Sequence, residues 1–167
     1  MEETSRTLHK RIINTMDAPV VESDLGAIDI TAVTTVIVTS EDPEHPIDNI
    51  FNYEDHTSRG RWVAANPGEQ CLILDFDTPQ TIRQIVLAIE EREVQRTQEL
   101  TISFSTDGGR SYQELIRQEY NFSPPGTTWE RETWSVLAKR VTHLRLQIKP
   151  DKGEKSCHAT VTSLLLR

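Results

Sequence analysis

The side chains of this chain that could ligate a metal or move a proton are five histidines, two cysteines and 26 carboxylates, and their spacing decides what they could do. His9, His45, His56, His143 and His158 show no H-E-x-x-H spacing, and Cys71 and Cys157 form no C-x-x-C pair, so the ligand pattern of a zinc site is missing. There is no G-x-S-x-G elbow, no G-x-x-x-x-G-K-S/T phosphate loop and no G-x-G-x-x-G turn, which removes the usual supports of hydrolase, kinase and dehydrogenase chemistry. Glu90 with Glu91, or Glu130 with Glu132, would need opposed environments to act as an acid–base pair, and they read as solvated faces. Glu41, Asp42, Glu44 and Asp48 carry oxygen enough for calcium but lack the EF-hand spacing, so they read as an acidic loop. The chain is expected to have no catalytic residue, no metal and no cofactor.

What is left is binding chemistry, carried by side chains outside the alternating runs. His45, His56, Arg59 and Arg61 can donate hydrogen bonds to hydroxyls or carboxylates, and Tyr53, Tyr120 and Phe122 can offer flat contacts. Three segments break the strand pattern, Glu41 to Asn66, Glu90 to Gln98 and Tyr120 to Thr128, and these side chains fall in the first and the last. Pro46 to Phe51 can make one helical turn, and the two prolines after Ser123 remove backbone donors. Arg59-Gly60-Arg61-Trp62 suggests a cation beside a stacking ring, but Trp62 leads into Val63-Ala64-Ala65 and reads as a core plug. In Ser105-Thr106-Asp107-Gly108-Gly109-Arg110-Ser111-Tyr112, similar to the Asp-box hairpin of sialidase propellers, Asp107 is expected to organise a turn.

The elements that must position these loops are strands. Alternating runs rich in Val, Ile, Thr and aromatics predict strands at 28–39, 70–77, 82–90, 98–105, 111–118, 129–136, 141–149 and 159–166, with negligible helix. The inward set is Leu72, Leu74, Phe76, Ile85, Leu87, Leu100, Ile102, Phe104, Leu144, Leu146 and Ile148, while His143, Arg145, Gln147 and Lys149 point outward. About eight such strands fit an all-β, antiparallel β-sandwich jelly roll. Residues 1–18 read as an N-terminal tail, or with an added edge strand at Val20 and Val21, and 19–167 as one domain.

The 167 residues are enough for a core that needs neither metal nor disulfide. A formal charge of −8 repels phosphate backbones, so no nucleic-acid partner is expected. No run approaches the roughly 18 apolar residues of a membrane span, and Met1 to Arg11 hold no signal-peptide core, so the chain is expected to be cytoplasmic and off the membrane, with both cysteines as thiols.

The order of pieces resembles a known family. The threonine-rich strand is followed by Ser40-Glu41-Asp42 and Ile47-Asp48-Asn49-Ile50-Phe51, then Arg61-Trp62-Val63-Ala64, then Leu72-Ile73-Leu74-Asp75-Phe76. Pro79 with Ile82 and Ile85, and Ser105-Thr106-Asp107-Gly108 with Tyr112, continue the likeness to the discoidin domain, also called the coagulation factor V/VIII C-type domain. That resemblance, over residues 28 to 167, implies the galactose-binding-like jelly roll. Ser40 through Ala65, with Gly68-Glu69, is also similar to the N-terminal domain of the X-ray repair scaffold protein. The resemblance implies a non-catalytic module that binds carbohydrate through loops at one end of the sandwich, with an intracellular protein-interaction scaffold as the alternative. The partner is therefore a glycan or a protein. A glycosidase would need two carboxylates at a set separation in a cleft.

Overall fold

The computed structural model describes residues 26–51 and 60–167. The domain boundary at residue 18 and the added edge strand at Val20 and Val21 lie outside the described residues.

The first element is a single helical turn, α1 (Ile30–Val33), which passes straight into strand β1 (Thr34–Val38). The one long strand expected over 28–39 is therefore corrected. Asp29 is the cause: its carboxylate accepts from the Ala32 amide at 3.2 Å and from the Thr31 hydroxyl at 2.7 Å. This N-cap starts a turn before the β-branched run can extend. The turn expected near Pro46 is a 3₁₀ turn, Ile47–Phe51, that buries Ile47, Ile50 and Phe51.

The remaining elements are β2 (Trp62–Val63), β3 (Gln70–Glu90), β4 (Arg96–Ser105), β5 (Gln113–Phe122), β6 (Trp129–Lys149), β7 (Thr160–Val161) and β8 (Ser163–Leu166). Two pairs of expected strands are thus single long ones. Asp77-Thr78-Pro79-Gln80 bends β3 without ending it, and the register with β6 shifts between Asp75 and Gln84. β6 turns its own corner near Arg140, whose φ of 56° is left-handed.

These bends create two layers. The first half of β3 and the second half of β6 lie in the order β1-β3-β6-β4-β5, while the second half of β3 joins the first half of β6 and β8. β2 pairs with β7 apart from them. All pairings are antiparallel. Alternation aims Leu72, Leu74 and Phe76 of one layer and Ile82, Ile85, Leu87 and Ile89 of the other into one core with Leu100, Ile102, Leu144, Leu146 and Ile148. Of the expected inward set, Phe104 alone is only partly buried. Leu74 is fully enclosed, so truncation to alanine would cost about 2–5 kcal/mol. The result is the antiparallel β-sandwich jelly roll that alternation predicts.

Trp62 is the plug its flanking sequence suggests: it is fully buried, and its indole N–H donates to the Ser40 carbonyl at 3.1 Å. Asp107 likewise organises the β4–β5 turn. Its Oδ1 accepts from the Arg110 and Ser111 amides and the Ser105 hydroxyl, and its Oδ2 from the Ser111 hydroxyl at 2.6 Å. Gly108 and Gly109 hold φ of 75° and 81° there, angles that side chains resist.

Candidate functional site

The antiparallel register collects the long connections at one end of the sandwich. Val38 lies beside Leu72, Gln70 beside Ile148, Arg96 beside Phe122 and Glu90 beside Trp129, so the chain beyond each of these pairs leaves at that end. The opposite end carries the β3 and β6 corners, the Asp107 turn and α1.

A buried ion pair holds the loop end together. The Arg96 guanidinium, with its side chain 1% exposed, donates to the Glu91 carboxylate at 2.8 Å, the His158 carbonyl at 2.6 Å and the Pro150 carbonyl at 3.3 Å. The other oxygen of Glu91 accepts from the Glu93 and Val94 amides, closing that loop on itself. Asp151 does the same for the last loop: its carboxylate accepts from the Thr97 and Lys155 amides, and these bonds, Thr97 foremost, hold it below its ordinary pKa. Two loops, 91–95 and 150–159, are thus tied to β4.

On this frame sits an exposed aromatic ring. Trp129, the first residue of β6, is 48% exposed although it is one of only three tryptophans. Directly across the ladder is Glu90, whose carboxylate pairs with Arg92. Opposed residues bring their Cβ atoms to within about 5.5 Å. A flat ring, a carboxylate acceptor and a guanidinium donor therefore share one rim.

The residues expected at the site fare differently. His45 is half-buried at this end; its carbonyl accepts from the Val63 amide and its ring lies 3.5 Å from Asp42. Arg61 is half-exposed, and its carbonyl accepts from the Asn49 side chain. Tyr53, His56 and Arg59 lie outside the described residues. Tyr120 and Phe122 are corrected: they are not loop contacts but the end of β5, 2% and 1% exposed, stacked on each other inside the core. Alternation continues through Tyr120 and Phe122 and stops only at Ser123, so the prolines end the strand later than their neighbourhood suggests. Burial, with Glu132 and Glu130 nearby, pushes the Tyr120 phenol above its ordinary pKa. Trp129 escaped sequence reasoning because it opens an alternating run; the signal available was its place directly after a loop, where an outward ring has no layer to cover it.

The acidic loop is committed to backbone. Glu41 accepts from the Ile47 amide and Asp42 from the Glu44 amide, the latter bond holding Asp42 below its ordinary pKa. Among the described residues no group of three or more histidines, cysteines or carboxylates comes together as a metal site would require. Glu90 and Glu91 are each engaged by an arginine, the first at the surface and the second buried.

A jelly roll of this order, with its long loops at one end, is a sandwich built to present loops. The F5/8 type C domain model matches residues 29–160, and the chain belongs to that family. No curated protein sequence matches it. Among solved structures it is similar to a pectin-binding carbohydrate-binding module, at 20% identity and TM-score 0.57, covering 81% of this chain and 90% of that one. It is also similar to CpGH89CBM32-5 from Clostridium perfringens, solved with GalNAc-β-1,3-galactose, at 16% identity and TM-score 0.59 over 84% of this chain and 99% of that one. A third is the CBM32 of AlyQ in complex with 4,5-unsaturated mannuronic acid, at 20% identity and TM-score 0.57 over 81% and 95%. At these identities the likeness establishes the shared fold.

Proposed function

We infer that this chain is a non-catalytic carbohydrate-binding module whose ligand meets the loop end. The observation that carries the reading is Trp129, an exposed indole set on a rigid rim with Glu90 and Arg92 beside it. A sugar ring has one apolar face and a perimeter of hydroxyls, and it asks for this combination of flat contact and paired donor and acceptor. Family membership supports the reading, as do the carbohydrate-binding modules that share the fold. His45 and Arg61 stand on the neighbouring loops as further donors, with Tyr53, His56 and Arg59 in the same connection. Two free thiols, Cys71 and Cys157, support the expectation of a reducing compartment such as the cytoplasm.

A glycan array probed with the chain and its Trp129→Ala variant tests this. The expected result is a defined set of glycans bound by the parent, with affinity falling by about 2 kcal/mol in the variant, as for a central aromatic contact. Binding to no glycan, or equal binding by both proteins, would overturn it. Recovery of one protein partner from the source cell, in place of any glycan, would favour the scaffold role.

A further inference from the structure

The outer face of the five-stranded layer carries a second feature, remote from the Trp129 rim. Register places Ile73, Arg145, Ser103 and Glu114 in one row across β3, β6, β4 and β5, and Cys71, Gln147, Thr101 and Arg117 in the next. β4 contributes only small side chains to these rows, Thr101 and Ser103, while β5 and its turn contribute Glu114, Arg117 and Tyr112. A low floor between taller walls leaves a groove of about 530 Å³ along the sheet, within the roughly 300–1,000 Å³ of small-ligand sites.

Arg145 stands in this groove against an aromatic ring and without a carboxylate. Its guanidinium lies 3.8 Å over the Tyr112 ring, and its buried Nε makes no hydrogen bond. Among the described residues no carboxylate pairs with it, although the chain carries 26 acidic residues against 18 basic ones. The neighbouring Arg117 is held by Glu114 and Glu99, and Arg96 by Glu91. A half-buried guanidinium held over an aromatic ring, with its donors unspent, is placed to receive a planar anion. Of the neutral polar side chains on the lining, Thr101, Ser103 and Gln147 offer two hydroxyls and an amide beside Arg145. Such walls suit a polyhydroxylated ring and give no pocket to an apolar peptide side chain. Glu69, Glu99 and Glu114 on the same lining repel a dense polyanion but not a ligand with one carboxylate per ring.

We propose that this groove is a second binding site, selective for a sugar acid, in which Arg145 takes the carboxylate of a hexuronate and the β4 and β6 side chains take its hydroxyls. The site does not depend on the loop-end reading. Calorimetric titration of the full chain with trigalacturonate, and with its methyl ester, separates the two. The acid is expected to bind at least about tenfold more tightly than the ester, as for a charge-assisted hydrogen-bond pair. Arg145→Gln is expected to reduce the acid to the level of the ester. In the parent protein, the Arg145 Nε–H resonance is expected to move on titration, a readout that needs no variant to fold. Equal binding of acid and ester, a resonance that stays in place, or no binding of the acid at millimolar concentration would overturn the proposal. So would equal affinity for trialanine with a free carboxylate, which would make the groove a peptide site. Loss of acid binding in Trp129→Ala but not in Arg145→Gln would also overturn it, while leaving the loop-end reading standing.

Discussion

Replacing Arg96 with methionine keeps most of the side chain's volume and removes its charge, at a position where 1% of the side chain meets solvent. Three acceptors lose their donor at once: the Glu91 carboxylate and the carbonyls of Pro150 and His158. Glu91 keeps two backbone amides, so its charge is only partly stranded. Breaking a buried pair from one side costs about 3–5 kcal/mol, a large part of the roughly 5–15 kcal/mol that holds a domain folded. For a domain of this size that loss lowers Tm by about 6–20 °C. Glu91→Gln leaves Arg96 its two carbonyls and should cost less, about 1–3 kcal/mol. The double variant should be more stable than the sum of the single losses by about 1 kcal/mol or more, since the second change removes what the first left uncompensated. Urea unfolding of the four proteins, compared at constant m, measures all three quantities. If Arg96→Met stays within about 1 kcal/mol of the parent, or the cycle is additive, the pair is not what fastens the loop end.

Tyr120→Phe should leave stability unchanged or raise it by up to about 1 kcal/mol, because the buried hydroxyl has no partner among the described residues; Tyr120→Ala should lose about 3–5 kcal/mol, and thermal melts separate the two. Bonds from the Ser111 and Ser105 hydroxyls, then the Ser111 amide, hold the Asp107 carboxyl far below its ordinary 3.8. A depressed folded value stabilises fully above 3.8 and fades as pH falls toward that folded value, so Asp107→Asn should lower stability at neutral pH and flatten the acid limb of a Tm-against-pH curve; parallel limbs would count against this. Thiol titration should find two equivalents in the denatured chain, and in the native protein Cys71 should react before the buried Cys157, though slowly because burial pushes its pKa up.

Where a strand has one wet face, its residues could be read directly from the chain. Leu144, Leu146 and Ile148 against His143, Arg145, Gln147 and Lys149 gave inward and outward sets that hold in three dimensions. Where both faces carry β-branched residues, alternation says nothing about where extension begins, and at 28–33 the Asp29 cap decided it. Corners were mistaken for ends because Pro79 and the residues around Arg140 look like turns, and whether a strand resumes in register depends on its partner. The site was harder for the same reason. Arg145 was legible as outward, but its lack of a carboxylate depends on Ser103 being its neighbour across β4, a pairing that no local pattern encodes. Trp129 shares the outward face of β6 with Arg131, Thr133, Ser135 and Leu137, and which of the two alternating faces is outward depends on the layer that β6 packs against.

The passage of β3 and β6 through both layers makes the sandwich resemble a folded strip more than two stacked plates. Neither plate can be peeled away, since each half of either strand is continuous in the backbone with a strand of the other layer. Opening one layer must drag on the two bends, so amide protons on opposite faces of the core should exchange through one shared event. The same threading puts Trp129 and Arg145 on a single 21-residue strand, at the outside of opposite layers. A pull on one surface therefore reaches the other along the backbone of one strand.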